Sequence, residues 1–259
     1  MKIKNYVLFI LLFVVTGCGQ SLEENSERVL SDGTVIGTKG ENDTFTWKGI
    51  PFAKPPIGEL RWKAPQDSTS WNGTLEAVEF KSSCFQGASR IEGDTDEIWS
   101  GSEDCLYLNI WTPSITEKEI QESEEKLPVM MWIHGGGNTV GSAHVYDPSI
   151  LVSQHKVIVV TIQYRMGPLG WFRHPSLHNS DSSMLDISGN YGTLDTIKAL
   201  EWINKNIETF GGDQNNVTVF GESAGGHNAA AIFASPLAEG LYHKVIVQSG
   251  IMSASSIDA

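Results

Sequence analysis

Basic residues are scarce in this chain: 18 lysines and arginines stand against 31 aspartates and glutamates, a formal net charge of −13 at pH 7. A surface of that sign repels nucleic-acid phosphates and anionic lipid headgroups, so both are poor partners for it. Long hydrophobic runs are lacking as well. The apolar run from Tyr6 to Val15, at about ten residues, falls short of the ~20 that cross a bilayer as a helix. No His, Cys, Asp or Glu spacing suits a metal, and neither a metal nor a cofactor is expected. Cysteine is limited to Cys18, Cys84 and Cys105. There is no internal repeat and, after residue 30, no low-complexity linker. Length alone allows one large domain or two small ones. With 40% hydrophobic residues and eight tryptophans, a sizeable core can form.

The amino terminus reads as an export signal. Lys2 and Lys4 precede the short apolar run, which ends in Val15-Thr16-Gly17-Cys18. That tetrapeptide resembles the lipobox of bacterial lipoproteins, in which cleavage leaves the cysteine as a lipidated amino terminus. The expectation is a signal peptide over 1–17, a lipid anchor on Cys18 in a bacterial cell envelope, a polar tether over 18–30 and a folded domain over 31–259. An ordinary signal peptide and a secreted product are the alternative. Loss of Lys2 and Lys4 leaves 16 basic against 31 acidic residues, a charge of −15.

The chemistry centres on Phe210 to Gly226, FGGDQNNVTVFGESAGG. Val217, Val219 and Phe220 are too few for a helix and suit a strand, and an Ala-rich stretch of helical length follows from Ala224 to Ala234. Between them Gly221-Glu222-Ser223-Ala224-Gly225 spells G-x-S-x-G, the nucleophile elbow, which projects a serine hydroxyl above the end of a sheet. Gly221 and Gly225 are expected where strand and helix crowd each other. Upstream, Leu127 to Gly137 reads LPVMMWIHGGG, a strand ending in the glycine run with which α/β-hydrolases stabilise an oxyanion. Acyl transfer needs such a loop because the attacked carbonyl oxygen becomes an anion, which preorganised N–H groups stabilise.

With SEDCLYLNIW at 102–111, YRMGPLGWF at 164–172, GNYGTLDTIKALEWINKNI at 189–207 and an opening GTVIGTKGENDTFTWKGIPFAKPPIGELRWKAP at 33–65, the chain resembles the type-B carboxylesterases, the family that also holds the cholinesterases. The resemblance runs from about Thr34 to the last residue. It implies an α/β-hydrolase fold, a mostly parallel sheet flanked by helices, and hydrolysis of a small-molecule carboxylic ester. It further implies Ser223 as the acyl-accepting nucleophile and the N–H groups of Gly136, Gly137 and Ala224 as the oxyanion hole. Glu222 matches the family too, either as an acid tuning the site's field or as a hydrogen-bonded structural carboxylate. Asn138 departs from the apolar residue that many members carry after the third glycine, which leaves the shape and polarity of the acyl pocket open. Cys84 and Cys105 form an even pair in an exported chain. The resemblance around Glu103-Asp104-Cys105-Leu106 supports a disulfide between them, with two free thiols as the alternative.

The remaining elements follow from pattern. Thr34–Lys39, Thr44–Gly49, Leu106–Thr112, Lys156–Tyr164 and Lys244–Gln248 read as strands, and the charged run Glu117–Lys126 as a solvated loop. Leu194, Ile197, Leu200, Ile203, Ile207 and Phe210 mark one face of a helix that Gly211-Gly212 ends.

A serine on this fold needs an acid and then a histidine downstream. Only Glu239, Asp258, His227 and His243 follow Ser223. His243 opens the next strand, roughly 15–20 Å from the elbow at ~3.3 Å per strand residue. His227 sits one helical turn below the serine and is expected to pack or to hydrogen-bond, while His134 is expected to brace the glycine loop. The family's acid and histidine are therefore expected in a carboxyl-terminal portion, this chain being the amino-terminal part. The competing expectation is a surface-tethered binding module without catalysis, since the fold family also holds adhesion proteins.

Overall fold

In the computed structural model, residues 21–88 and 98–251 are described. Cys18 and the signal-like segment therefore lie outside the described residues, as does Asp258. The strands β1 (Thr38–Lys39), β2 (Thr44–Pro51), β3 (Tyr107–Pro113), β4 (Leu127–Ile133), β5 (Ile158–Ile162), β6 (Gly212–Glu222) and β7 (Lys244–Gln248) form one sheet. Their spatial order is β7-β6-β4-β5-β3-β2-β1. The four strands from β7 to β5 are mutually parallel. From β5 to β1 the pairs are antiparallel. Four helices matter here: α1 (Glu117–Glu122), α2 (Ser149–His155), α3 (Tyr191–Asn206) and α4 (Ala224–Ala234). This is the α/β-hydrolase architecture that the motifs implied.

The core follows the periodicities. Every residue of β5 is buried, as its unbroken apolar run requires of a strand covered on both faces. On α3, Leu194, Ile197, Leu200 and Ile203 are all buried. The helix stops earlier than the apolar spacing suggests: its last turn tightens into a 3₁₀ turn over Ile207–Phe210, and Gly211, in the left-handed region at φ 85°, closes it.

Three expectations need correction. Residues from Leu22 onward, placed in a tether over 18–30, instead join the fold. Leu22 bridges Thr38, Ser26 and Arg28 are buried, and the Arg28 guanidinium donates to the Ile115 carbonyl above the Trp47 ring. The stretch 34–39 is not one strand. Thr34–Ile36 joins a small three-stranded sheet, and β1 begins only after Gly37, where a Cβ would lie 2.2 Å from the Thr46 carbonyl oxygen. The charged run contains the helix α1, opened by a capping box in which Thr116 and Glu119 satisfy each other's backbone N–H.

Candidate active site

Strand β6 ends at Glu222, Ser223 makes the turn, and α4 begins at Ala224. Ser223 has φ 55° and ψ −120°, a conformation L-residues avoid unless their surroundings over-determine it. The surroundings do so here. A Cβ at Gly221 would come within 2.4 Å of the Gly225 oxygen, and one at Gly225 within 2.0 Å of the Ile133 oxygen. Both positions demand glycine because strand, loop and helix touch backbone to backbone. The Ser223 N–H is held by the Gln248 carbonyl of β7 at 2.9 Å. Ala224 is the first residue of α4, where a helix N–H has no intrahelical partner and the helix dipole favours negative charge.

The glycine loop after β4 lies against this corner. A Cβ on Gly135 would be 2.9 Å from the Glu222 carbonyl oxygen and 3.3 Å from the Ser223 Cβ. Gly136 (φ 110°) and Gly137 (φ 63°) adopt backbone that favours glycine. The Gly136 carbonyl accepts from the N–H groups of Thr139 and Val140 at 3.1 and 3.0 Å. That tight turn leaves the N–H groups of Gly136 and Gly137, like that of Ala224, without a backbone acceptor among the described residues. Ser223 is thus flanked by glycine-loop and helix-start donors, a geometry suited to an anion developing beside the serine.

The histidines sort themselves by partner. His134 is fully buried, its ring stacked on Tyr164 at 4.4 Å. Burial lowers its pKa to about 4, so at neutral pH the ring is uncharged and Nδ1 donates to the Gly135 carbonyl at 2.9 Å. The Tyr164 hydroxyl donates to the His134 carbonyl at 2.7 Å. His134 therefore braces the loop, as its position suggested. His227 Nδ1 lies 2.8 Å from the Ser223 carbonyl oxygen and serves the backbone. His243 Nδ1 accepts the Val217 N–H at 3.1 Å, toward the far end of β6 from the serine. Among the described residues no side chain hydrogen-bonds the Ser223 hydroxyl.

Glu222 is exposed, its carboxylate alongside Gly135. Burial first, and the Glu222 charge second, push the nearby Tyr146 phenol up. Asn138 turns its amide toward Asn228 of α4. An apolar cavity of 590 Å³ flanks the glycine loop at Thr139 and Val140, walled by Trp62, Phe85, Trp99 and Met166. Cys84 and Cys105, both buried, are joined in a disulfide, Cys84 being next in the chain to the wall residue Phe85. Within the described residues no group of three or more His, Cys, Asp or Glu could hold a metal.

Two supports escaped the sequence reading. Arg165 and Asp195 form a buried bidentate pair at 2.8 and 2.9 Å, with the Arg165 N–H also on the carboxylate. This pins the segment after β5 to α3; the one signal was an aspartate inside the buried face of a predicted helix. Asn228 gave no signal at all, being a polar residue in an Ala-rich helix.

Comparison with known proteins agrees with this geometry. The sequence profile described as "Carboxylesterase family" matches residues 25–258. The chain is 46% identical over 220 residues to the para-nitrobenzyl esterase of Bacillus subtilis (strain 168), covering 84% of this chain and 42% of that protein. To the fumonisin B1 esterase of Sphingopyxis macrogoltabida it is 45% identical over 224 residues, covering 86% and 39%. A solved structure of a thermophilic PNB esterase superposes with a TM-score of 0.79 at 40% identity, covering 90% of this chain and 46% of that one. The chain spans less than half the length of these relatives.

Proposed function

Because the chain belongs to the carboxylesterase family, we propose that it is a serine hydrolase of small-molecule carboxylic esters acting through an acyl-enzyme on Ser223. The observation that carries this reading is the strained Ser223 backbone, set beside unpaired N–H groups of Gly136, Gly137 and Ala224. In the reaction the Ser223 oxygen attacks the ester carbonyl carbon, and the carbonyl oxygen takes the negative charge opposite those three N–H groups. Collapse expels the alcohol and leaves the acyl group on Ser223. Water then attacks the acyl-enzyme, the same oxyanion forms again, and the acid departs. The apolar cavity beside Thr139 and Val140 suits the hydrophobic part of such an ester. Glu222 contributes negative charge at the rim.

Each half-reaction needs a base for the serine or water proton, and the described residues bring none to Ser223. The 259-residue chain by itself is therefore assigned only residual turnover. Loss of the base from a comparable triad costs on the order of 10⁶ in kcat, with ~10³ to 10⁴ over water retained by the remaining machinery. The test is hydrolysis of p-nitrophenyl acetate by the purified chain, with Ser223→Ala as control, alone and with the product of any coding sequence that continues beyond Ala259. Ser223-dependent turnover that appears only with the continuation supports the reading. Ser223-independent turnover in both preparations refutes it.

A binding module on the same fold is the second reading, favoured by the lack of a base beside Ser223 among the described residues. A binding surface gives no reason for a strained serine between unpaired N–H groups, which is why hydrolysis is preferred. The proposal extends to location: Val15-Thr16-Gly17-Cys18 supports lipidation of Cys18 and anchoring to a bacterial membrane. Cys18→Ala should shift the protein from the membrane to the soluble fraction, and unchanged fractionation and processing would refute the anchor.

A further inference from the structure

The N–H groups assigned to the oxyanion come from two segments far apart in the chain. Gly136 and Gly137 lie on the loop after β4, whereas Ala224 opens α4. Catalytic use requires their separation to be fixed to a fraction of an ångström. We infer that the paired side-chain amides of Asn138 and Asn228 are the clamp that fixes it, so that both are positioning residues of the ester hydrolase proposed above.

The placement supports this directly. Asn138 follows Gly137 in the chain, and Asn228 follows Ala224 by four residues, hence on the same face of α4 one turn along. Each asparagine thus lies on the segment that carries one half of the donor set. Asn228 Nδ2 donates to Asn138 Oδ1 at 2.9 Å, and Asn138 Nδ2 returns a hydrogen bond to Asn228 Oδ1 at 3.4 Å. Asn228 is only 4% exposed, so an amide there that lost its partner would not be resolvated without cost.

Asn138 is also held in the left-handed region, at φ 58°, which asparagine tolerates better than most residues. Its carbonyl accepts the Gly167 N–H at 2.6 Å, and its Oδ1 lies 3.4 Å from the Tyr164 hydroxyl that also holds the His134 carbonyl. One side of the loop is therefore fixed to the segment after β5. From the glycine loop, the reciprocal amide pair is the side-chain tie to the elbow helix, and the Tyr164 hydroxyl joins Asn228 from the segment after β5. An apolar side chain at 138 would fill space but make no such directional tie. The departure at Asn138 acquires a mechanical meaning once its partner is known.

The test uses Asn138→Gly, which keeps the left-handed backbone without strain while removing the amide, and Asn228→Ala, which suits a helix interior. In the 259-residue chain, hydrogen exchange at the N–H groups of Thr139, Val140 and Gly167 is expected to quicken about tenfold or more in each variant, as local opening becomes easier. Unchanged exchange at all three in the folded variants overturns the clamp, whatever the protein's activity. In Ser223-dependent hydrolysis of p-nitrophenyl acetate by the chain together with the product of its continuing coding sequence, each single variant should lower kcat about 10- to 100-fold with KM within about twofold, since drift of about 1 Å carries a cost of that order. The double variant should be no slower than the slower single, because cutting one tie twice adds nothing. Additive losses, or losses confined to KM, overturn the inference. Failure of the hydrolase reading would show separately, as turnover that Ser223→Ala does not abolish. Should Asn228→Ala fail to fold, Asn138→Gly carries both readouts.

Discussion

Strand β6 has two neighbours, and they are unlike. Toward β4 its register aligns Gly221 with Ile133, and toward β7 it aligns Gly221 with Val247. Both ladders are parallel and both reach the elbow. On the first flank Val129, Met131 and Ile133 are wholly buried; on the second, Ile246 and Val247 keep 42% and 41% of their surface. The same hydrogen-bonding pattern therefore sits on very different energetic ground, because ladder bonds contribute little net free energy compared with burial of the side chains they carry. The glycine loop with Gly136 and Gly137 rises from the buried flank, while the Ser223 N–H rests on the carbonyl of Gln248 at the exposed one.

Truncation on each flank breaks or sharpens this contrast most strongly. Ile133→Ala should cost about 2–5 kcal/mol of unfolding free energy, the range for emptying a filled core site. Ile246→Ala should stay within roughly 0.5 kcal/mol, as for a surface position. Urea unfolding of both variants decides the matter. Comparable losses would mean that β7 contributes to the core as β4 does, and the distinction would fall.

A second prediction concerns the end of the buried flank, where His134 follows β4. Its folded pKa of about 4 lies below the ~6.5 of an unfolded histidine. As pH falls from about 6.5, the unfolded chain takes up a proton that the folded chain refuses, so stability declines until about pH 4 and is then level with respect to this group. The full effect is at most about 3 kcal/mol. The measurement is the difference in urea midpoint between pH 7 and pH 4.5, for the parent and for His134→Gln. The parent should lose more stability than the variant. Equal losses would show that the ring is already protonated or already wet in the folded state.

What the sequence made legible divides along similar lines. The elbow and the glycine loop could be read because close backbone approach leaves glycine as the sole fit, and Gly221, Gly225 and Gly136 stand in the sequence as visible letters. The α3 face of Leu194, Ile197, Leu200 and Ile203 was legible through periodicity, though not the tightening into a 3₁₀ turn from Ile207 to Phe210. Arg165 with Asp195 and Asn138 with Asn228 were not, since a polar pair joined across 30 or 90 residues leaves no spacing to recognise. The segment before residue 31 was misread for a related reason: Arg28 looks solvated until Trp47 and the Ile115 carbonyl are brought beside it. The helix α1 is a different failure. Its Thr-x-x-Glu start was present at Thr116 and Glu119, but the density of charge around it suggested a loop.

The smallest expected effect on stability tests the exposed flank from the other direction. Among the described residues β7 is paired on one side, with β6, and unpaired strand N–H and C=O groups at an edge are a template for a further strand. Its apolar side chains make that edge more adhesive, and the 259-residue chain is expected to associate as its concentration rises. Val247→Lys places a charge, the common natural guard on such edges, at a position that is already 41% exposed. Unfolding free energy should move by less than about 0.5 kcal/mol, whereas sedimentation or light scattering should show a clear fall in associated species. If association persists while stability is unchanged, the adhesive surface lies elsewhere and the exposure of β7 is incidental. If stability instead drops by several kcal/mol, Val247 is part of the folded core, and the two flanks of β6 are more alike than their exposure suggests.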